Sequence, residues 1–414
     1  MRHATRRLPA LTALLVLGAA DAQDERHRFS VELELDALET GADTVTDTKL
    51  AAAADSEFAR AAFVYSGTLR PTLTLDAVVD AVNAGSRGID LTEAFLTWRP
   101  VPRSPLRHEL RAGAFYPPLS LENTGPAWTS PYTGSFSAIN TWIGEELRTI
   151  GAEWSVRRAL GPRASQREIR LIAAAYYGND PAGALLAWRG FALHPRQSRL
   201  GDALALPAVP QIQPGMMFDK QAPATEPFVE TDHRPGFYAG AEWQLGRRIR
   251  LAALHYDNRA DPLTIKDGHY GWTTRFDHLG AMLELPAGLG LILQWMDGTT
   301  VMGPVMNGAH VVDAGFESYF ALLTRKHGRH RWSVRFDDFA VTDRDTIPLD
   351  DNGEAGQALA AAYRYEPEGS WSAGLEWLAL EVERPAFAYF ARPVSASENV
   401  VRVFARYRLF TSAD

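Results

Sequence analysis

The sequence predicts an all-β fold, a transmembrane antiparallel β-barrel of sixteen strands. The main observation is an alternation of apolar and polar residues with a period of two, as at 29–36, 371–377 and 401–409. Successive side chains of a strand point to opposite faces, so such runs have one apolar and one polar face. Runs of about 10 to 13 residues match a tilted membrane strand, whereas globular strands usually have about 5 or 6 residues. Beyond residue 22, apolar stretches are too short and too often interrupted by charges to form a membrane helix.

Short and long connections alternate along the predicted barrel, as they do between the periplasmic and outer sides of bacterial barrels. Tight turns are expected at 246–247, 286–288, 326–329 and 366–369, and long polar loops at 39–56, 299–313, 342–354 and 383–397. With the N-terminus on the periplasmic side, strands are expected near 28–38, 57–68, 72–83, 88–99, 106–116, 146–158, 166–178, 236–245, 248–258, 271–285, 288–298, 314–326, 330–341, 355–365, 371–382 and 400–410.

The barrel domain is expected to cover residues 23–414, with long excursions at 117–145 and 179–235. Within the second excursion, Gly183 to Leu193 could pass for a further strand. Single-chain bacterial barrels have even strand counts with both ends periplasmic. The excursion should therefore contain no barrel strand or two, which leaves eighteen strands as the alternative. We expect none, and predict that 179–235 is a proline-rich loop outside the barrel.

Residues 1–22 have the pattern of a secretory signal peptide. Three arginines, at positions 2, 6 and 7, precede an apolar stretch from Leu8 to Ala20, and Ala20-Asp21-Ala22 supplies a small-x-small cleavage signal. Cleavage is expected after Ala22, with export to the bacterial outer membrane; a buried N-terminal helix is the alternative. The chain contains no cysteine, so disulfides do not stabilise it. Its net charge of -8 argues against bulk nucleic-acid binding.

Two neighbouring segments carry a family resemblance. Leu91-Thr92-Glu93-Ala94-Phe95-Leu96 is followed by a run in which Gly113, Phe115, Pro118, Ser120, Glu122 and Asn123 match a strand-and-loop motif, with Leu119 in place of a phenylalanine. Over these roughly 35 residues the chain resembles the phosphate-selective porin family (type O and P). The resemblance implies a sixteen-stranded barrel in outer-membrane lipid, often a homotrimer, that carries anions through a constriction lined by basic residues.

The loop after Tyr116 departs from that expectation, because residues 117–146 contain no lysine or arginine. If this loop enters the barrel, it would bring carboxylates and aromatic rings to the constriction. The constriction candidates are Glu122, Trp128, Tyr132, Phe136, Glu145 and Glu146.

Charged residues on the polar faces are the candidates for lining a pore, since rings of one charge bias which ions pass. Strand parity selects Arg111, Arg170, Arg250, Arg335, Arg402, Arg406, Arg408, Glu32 and Glu34. The last three arginines have two interpretations. They could guide anions, or they could form ion pairs with Glu32, Glu34 and Asp36 where the last strand meets the first.

Catalytic motifs such as His-Glu-x-x-His and Gly-x-Ser-x-Gly are absent from the sequence, so an enzyme is not expected. No cofactor or metal is expected either; the acidic residues at 343–354 do not have EF-hand spacing. The sequence favours a passive diffusion channel for small hydrophilic solutes, with anions such as phosphate suggested by the resemblance. The alternative is a non-conducting barrel, a receptor or structural protein, plugged by residues 179–235. A secreted soluble β-protein would instead have to bury its apolar faces against one another.

Overall fold

The computed structural model describes residues 26–40, 57–83, 88–162 and 166–409. Sixteen strands, each antiparallel to its neighbours, form one closed barrel, which confirms the predicted count and excludes eighteen. The strands are His27–Thr40 (β1), Glu57–Arg70 (β2), Leu73–Val82 (β3), Ile89–Trp98 (β4), Leu106–Phe115 (β5), Thr149–Ala159 (β6), Arg167–Tyr177 (β7), Gly236–Leu245 (β8), Ile249–Asp257 (β9), Trp272–Leu285 (β10), Leu289–Met306 (β11), Ala309–His327 (β12), His330–Asp343 (β13), Glu354–Tyr365 (β14), Trp371–Glu383 (β15) and Ser395–Leu409 (β16). The predicted signal peptide lies outside the described residues.

The two ends of the barrel differ in their connections. We call the end where β1 begins the turn end, because tight turns such as 286–288 join strands there, and the opposite end the loop end. Along each strand the apolar side chains face outward: Trp243, Trp332 and Val403 are exposed on the outer wall, whereas Arg335 and Arg402 on the inner face are buried. This arrangement is typical of a barrel whose outside contacts lipid.

One predicted loop is a pair of strands instead. The polar stretch 299–313 was expected to be a long loop, but β11 and β12 continue through it and pair as far as Met306 opposite Ala309. Asn307 and Gly308 form the two-residue turn, both with positive φ angles of 54° and 95°. Asn-Gly is the sequence that favours this hairpin turn, so this dipeptide was the signal of a continued strand pair that the prediction overlooked.

On part of the outer wall, the apolar surface ends at a row of carboxylates. Asp277 on β10 lies directly opposite Asp297 on β11, which lies opposite Glu317 on β12, and all three side chains are exposed. The next outward residues toward the turn end are apolar or aromatic, including Leu279 and Tyr319. Because like charges directly opposite one another repel, this row requires an aqueous surrounding. It therefore marks the upper limit of the surface that lipid could cover on these strands.

The helices lie in the connections between strands. Helix α1 is Ala138–Glu146 and helix α2 is Ala184–Arg189, while single 3-10 turns occur at Pro126–Trp128, Pro210–Ile212, Pro286–Gly288 and Pro385–Phe390. Two pairs of two-residue strands, Leu204–Ala205 with Ala224–Thr225 and Ile265–Lys266 with His269–Tyr270, lie outside the barrel sheet. Among the described residues, no helix is long and apolar enough to cross a membrane.

Ion pairs join the first and last strands. Arg408 lies opposite Glu32 and Arg406 opposite Glu34 in the β1–β16 register. Their nitrogen–oxygen distances are 2.5 Å and 2.6 Å, and Arg402 approaches Asp36 to 2.7 Å. The ion pairs anticipated at this closure are thus formed. Cross-strand pairs of opposite charge stabilise a sheet, so these arginines contribute to closing the barrel.

We predict that Arg402→Met destabilises the barrel much more than Arg408→Met. Arg402 is 1% exposed and lies between the buried carboxylates of Asp36 and Glu376, at 2.7 Å and 3.7 Å. Its loss leaves buried charges uncompensated, at a cost of about 3–5 kcal/mol. The Arg408 side chain is 40% exposed, so breaking its pair should cost at most about 1 kcal/mol. The temperature at which the folded band disappears from semi-native gels measures both, and equal shifts would contradict the prediction.

Candidate functional site

The connection between β5 and β6, residues 116–148, crosses the inside of the barrel; we call it the inner loop. The carboxylate of Glu376 on β15 accepts hydrogen bonds from the backbone N–H groups of Gly134 and Ser135, at 2.9 Å and 3.0 Å. Asp337 on β13 accepts one from the N–H of Ala138 at 3.1 Å. Charged side chains of the far wall therefore hold the inner loop in place.

Arg335 is the centre of this attachment. Its Nη1 donates to Glu122 Oε1 at 2.8 Å and its Nε donates to Asp337 Oδ2 at 2.7 Å. Nη2 donates to the carbonyl oxygen of Phe136 at 2.9 Å. Arg335 is 0% exposed. Arg335 was predicted to line the pore. It instead contacts the inner loop and no solvent, and the Glu122 carboxylate neutralises its charge.

Helix α1 begins at the same place. The Glu122 carboxylate accepts from the N–H of Ser137 at 3.0 Å and from the side-chain amide of Asn140 at 2.9 Å. The Ser137 side chain accepts the N–H of Asn140 and caps the helix, which satisfies a donor that the first turn leaves free. All nine residues of α1 are buried. One face packs against the barrel wall, where the Trp142 ring lies 5.1 Å from that of Phe316.

A second connection, residues 178–235 between β7 and β8, also enters the barrel; we call it the cap segment. The sequence predicted that this segment lies outside the barrel. The prediction is wrong for the first part of the segment, which contains α2 and lies inside the barrel. The Trp188 ring of α2 lies edge-on against Trp272 of β10, with centroids 5.0 Å apart, and the N–H of Phe191 donates to Glu354 of β14 at 2.8 Å. The stretch considered as an extra strand thus contains α2, because its apolar side chains pack onto the inner wall.

The two glutamates at the end of α1 join the inner loop to the cap segment. Glu145 pairs with Arg189 at 2.7 Å and lies 3.4 Å from His194. Burial alone would raise the pKa of Glu145, but Arg189 and His194 outweigh it and hold the pKa well below its usual range. Glu146 accepts hydrogen bonds from Leu185 N at 3.0 Å and Trp142 Nε1 at 2.7 Å. Burial raises the pKa of Glu146 to about 7, although these hydrogen bonds oppose the shift.

The aromatic constriction candidates form a stack inside the inner loop. The Trp128 ring lies parallel to that of Tyr116 at 4.2 Å, and Phe136 meets Trp128 edge-on at 5.5 Å. Tyr132 lies 5.4 Å from the guanidinium of Arg331. On the other side of Tyr116, at 3.4 Å, is the guanidinium of Arg148, which the sequence prediction did not include. These rings stabilise the shape of the loop.

Three of the predicted pore-lining arginines, at positions 111, 170 and 250, line open cavities inside the barrel. A cavity of about 600 Å³ at the turn end is lined by residues of β5 to β9, including Arg170 and Arg250. Arg170 pairs with Glu153 at 3.0 Å and Glu242 at 3.4 Å, and Arg250 lies 3.2 Å from Glu242. Arg111 pairs with Glu153 at 2.8 Å and lines an adjoining cavity of about 370 Å³.

Three arginines of this open region stand side by side. Arg107 on β5 lies directly opposite Arg157 on β6, and Arg157 lies opposite Arg170 on β7. We call these three residues the arginine row. Like charges in such positions destabilise a sheet. The sequence prediction missed Arg107 and Arg157, although parity counted from Glu109 and Glu153 places both side chains on the inner face.

Arg107 and Arg157 are the members of the row without a close carboxylate. Among the residues that the structure describes, no carboxylate oxygen lies within 4.0 Å of the Arg157 or Arg107 guanidinium. Nε of Arg157 and Nε of Arg170 are buried and have no hydrogen-bond partner. Both side chains line the two adjoining cavities. The wall here presents positive charge to the open space.

A further cavity of about 480 Å³ lies at the turn end beneath the inner loop, lined by Pro126, Thr129, Arg364, Arg406 and Arg408 among others. Arg406 and Arg408 therefore border solvent in addition to pairing with β1. Arg402 is buried and does not line this cavity. The three arginines of the last strand thus differ in their access to solutes.

No protein-family model and no curated protein matches the sequence. Solved structures with a similar fold include the outer membrane channel DcaP of Acinetobacter baumannii, with a TM-score of 0.55 at 12% identity, covering 92% of this chain and 96% of that one. OmpF of Salmonella typhi, in complex with daunomycin, gives 0.53 at 9% identity, covering 92% and 97%. An anion-selective porin from Comamonas acidovorans gives 0.51 at 9% identity, covering 92% and 99%. The chain therefore has the fold of the sixteen-stranded porin barrels. The phosphate-selective family in particular stays a resemblance.

We predict that Arg335→Met releases the inner loop. Glu122 and Asp337 would keep their buried charges without a counter-charge, a loss of about 3–5 kcal/mol. Chymotrypsin should then cleave after Trp128, Tyr132 or Phe136 much faster than in the native protein, as followed by mass spectrometry. Arg250→Met is the matched control: it removes an inward arginine of β9, whose partner Glu242 retains Arg170 at 3.4 Å. Equal cleavage of the two variants would show that Arg335 does not anchor the loop.

Proposed function

We propose that the protein is an outer-membrane porin that lets small hydrophilic solutes diffuse through the barrel and prefers anions. The observation that carries this proposal is the arginine row, which faces open space in an interior whose other inward charges are mostly paired. The solute path follows the inner wall of β3 to β9, where the two adjoining cavities share Arg157, Arg170, Glu242 and Arg250.

The charge of this path favours anions. The larger cavity is lined by five arginines (107, 157, 167, 170 and 250) against two glutamates (168 and 242). The smaller one is lined by five arginines (99, 111, 157, 170 and 250) against three acids (76, 109 and 242). Each stretch therefore has an excess of positive charge, and a low-dielectric wall focuses its field on the path. Such rings of charge set the ion preference of a pore.

Phosphate is the solute that we propose as an example, on two grounds. Guanidinium groups donate two parallel hydrogen bonds to phosphate oxygens, and the row offers three of them on neighbouring strands. The family resemblance of residues 91–123 points the same way. Location in the outer membrane is supported by the apolar outer wall, and a homotrimer is proposed on the resemblance.

A second candidate is a barrel that does not conduct, such as a receptor or structural protein. The specific observation in its favour is the filled half of the interior. All nine residues of α1 are buried, and the α2 residues Leu185, Leu186 and Trp188 pack beside it. In this alternative the inner loop and the cap segment close the barrel, and the arginine row borders a vestibule that is open only at the turn end.

We predict that Arg157→Gln lowers the chloride-to-potassium permeability ratio of the channel. A unit charge about 10 Å from a passing ion in water attracts chloride and repels potassium by about 0.4 kcal/mol each, so its removal should lower the ratio about fourfold. Because no carboxylate oxygen of the described residues lies within 4.0 Å of the Arg157 guanidinium, the variant should fold normally. The reversal potential of purified protein in a planar bilayer under a salt gradient measures the ratio. Arg158→Gln, the next residue of β6 and outward-facing, is the matched control and should leave the ratio unchanged.

The same recordings distinguish the alternatives. Absence of conductance steps in the native protein would favour the non-conducting barrel. Conductance with cation preference would keep the channel and exclude the anion path. Added phosphate should reduce chloride current in the native protein and less so in Arg157→Gln; an equal reduction would remove the row as a phosphate site.

A further inference from the structure

Three carboxylates meet at the loop end, outside the proposed solute path. Asp180, Glu230 and Asp232 each bring one oxygen within 4.8 Å of the other two. Asp180 follows β7 by three residues, and Asp232 precedes β8 by four. The cluster therefore joins the first and last residues of the cap segment.

Asp180 is buried, and one of its carboxylate oxygens has no hydrogen-bond partner. The residue is 0% exposed. Oδ2 accepts hydrogen bonds from the N–H and, at 2.9 Å, from the hydroxyl of Thr231, whereas the buried Oδ1 has no hydrogen-bond partner. A buried carboxylate oxygen without a partner is costly, and such groups are usually paired or bind a metal ion. The hydrogen bonds from Thr231 account for the burial of Oδ2. They do not account for the burial of Oδ1.

The cations nearby do not satisfy this oxygen. Arg234 pairs with Asp261 at 2.7 Å and approaches Asp232 to 3.8 Å, while the ammonium of Lys266 donates to the backbone carbonyl of Glu230 at 2.8 Å. Within the described part of the chain, no cationic nitrogen lies within 4.0 Å of the Asp180 carboxylate. Four acids, counting Asp261, thus face two basic side chains, which leaves the cluster negative.

The other two carboxylates retain the capacity to bind a cation. Glu230 Oε2 accepts the N–H of Gly178 at 2.7 Å, and Asp232 Oδ1 accepts the N–H of Arg234 at 2.7 Å. Glu230 Oε1 also accepts the N–H groups of Asp232 and His233, and Asp232 Oδ2 accepts that of Asp261. Glu230 Oε2 and the two Asp232 oxygens thus accept one hydrogen bond each, and each retains a second lone-pair direction.

We infer that Asp180, Glu230 and Asp232 form a calcium-binding site. The three donors are oxygens, with no histidine or cysteine among them, which favours a hard cation over zinc. Calcium accepts irregular sets of carboxylates completed by water, whereas magnesium requires near-octahedral geometry at shorter distances. Bound calcium joins the two ends of the cap segment and so holds α2 inside the barrel. This inference is independent of whether the barrel conducts.

Calorimetry on the full-length protein in detergent, treated with chelator and titrated with calcium chloride, tests the site. We expect one calcium ion per chain and, for the near-isosteric Asp180→Asn, a loss of affinity of about tenfold or more. Glu226→Gln, an exposed acid of the same segment with a side chain 51% exposed, is the matched control and should bind as the native protein does. If Asp180→Asn does not give a folded barrel, Asp232→Asn takes its place.

A second measurement follows the structural consequence. Calcium should slow tryptic cleavage after Lys220 in the native protein and in Glu226→Gln but not in Asp180→Asn. No binding by the native protein at about 10 mM calcium, well above the dissociation constants of extracellular calcium sites, would overturn the inference. So would unchanged affinity in Asp180→Asn, or equal affinity for magnesium.

Discussion

The interior of this barrel depends on the neutralisation of buried charge. The outer wall is mainly apolar, so most charged residues of the strands face inward, and the inner loop covers many of them. Each covered charge needs a partner, since a buried unpaired ion is strongly destabilising. Arg335 finds two, Glu122 at 2.8 Å and Asp337 at 2.7 Å. The wall and the loop therefore determine one another's position.

This constraint divides the interior into two parts. On one side, Trp142 packs between the rings of Phe276 and Phe316, at 5.5 Å and 5.1 Å, and the interior resembles the core of a globular protein. On the other side, β3 to β9 enclose open space lined by arginines and acids. The inner loop is the boundary, with Pro118 and Ser120 lining the inner end of the open side.

The strand count, the closure between β1 and β16 and the inward side of each strand could be predicted from the sequence, because a period of two is a local signal. Arg335 was placed on the inner face in this way. Its partner Glu122 is 213 residues away, and no local pattern connects them. The same limit applies to α2, whose six residues are too few to show helical periodicity. They lie in the barrel because Trp188 packs against Trp272. This contact forms only when the chain folds.

The inward arginines fall into two groups, and the difference bears on function. Arg335 and Arg402 are buried beside two carboxylates each, so the fold alone accounts for their presence. Arg107 and Arg157 lie opposite each other with no carboxylate oxygen within 4.0 Å among the described residues. Opposed like charges weaken the pairing of β5 with β6. Stability would favour a neutral or acidic residue at either position, so the presence of this pair is an argument for the anion path proposed above.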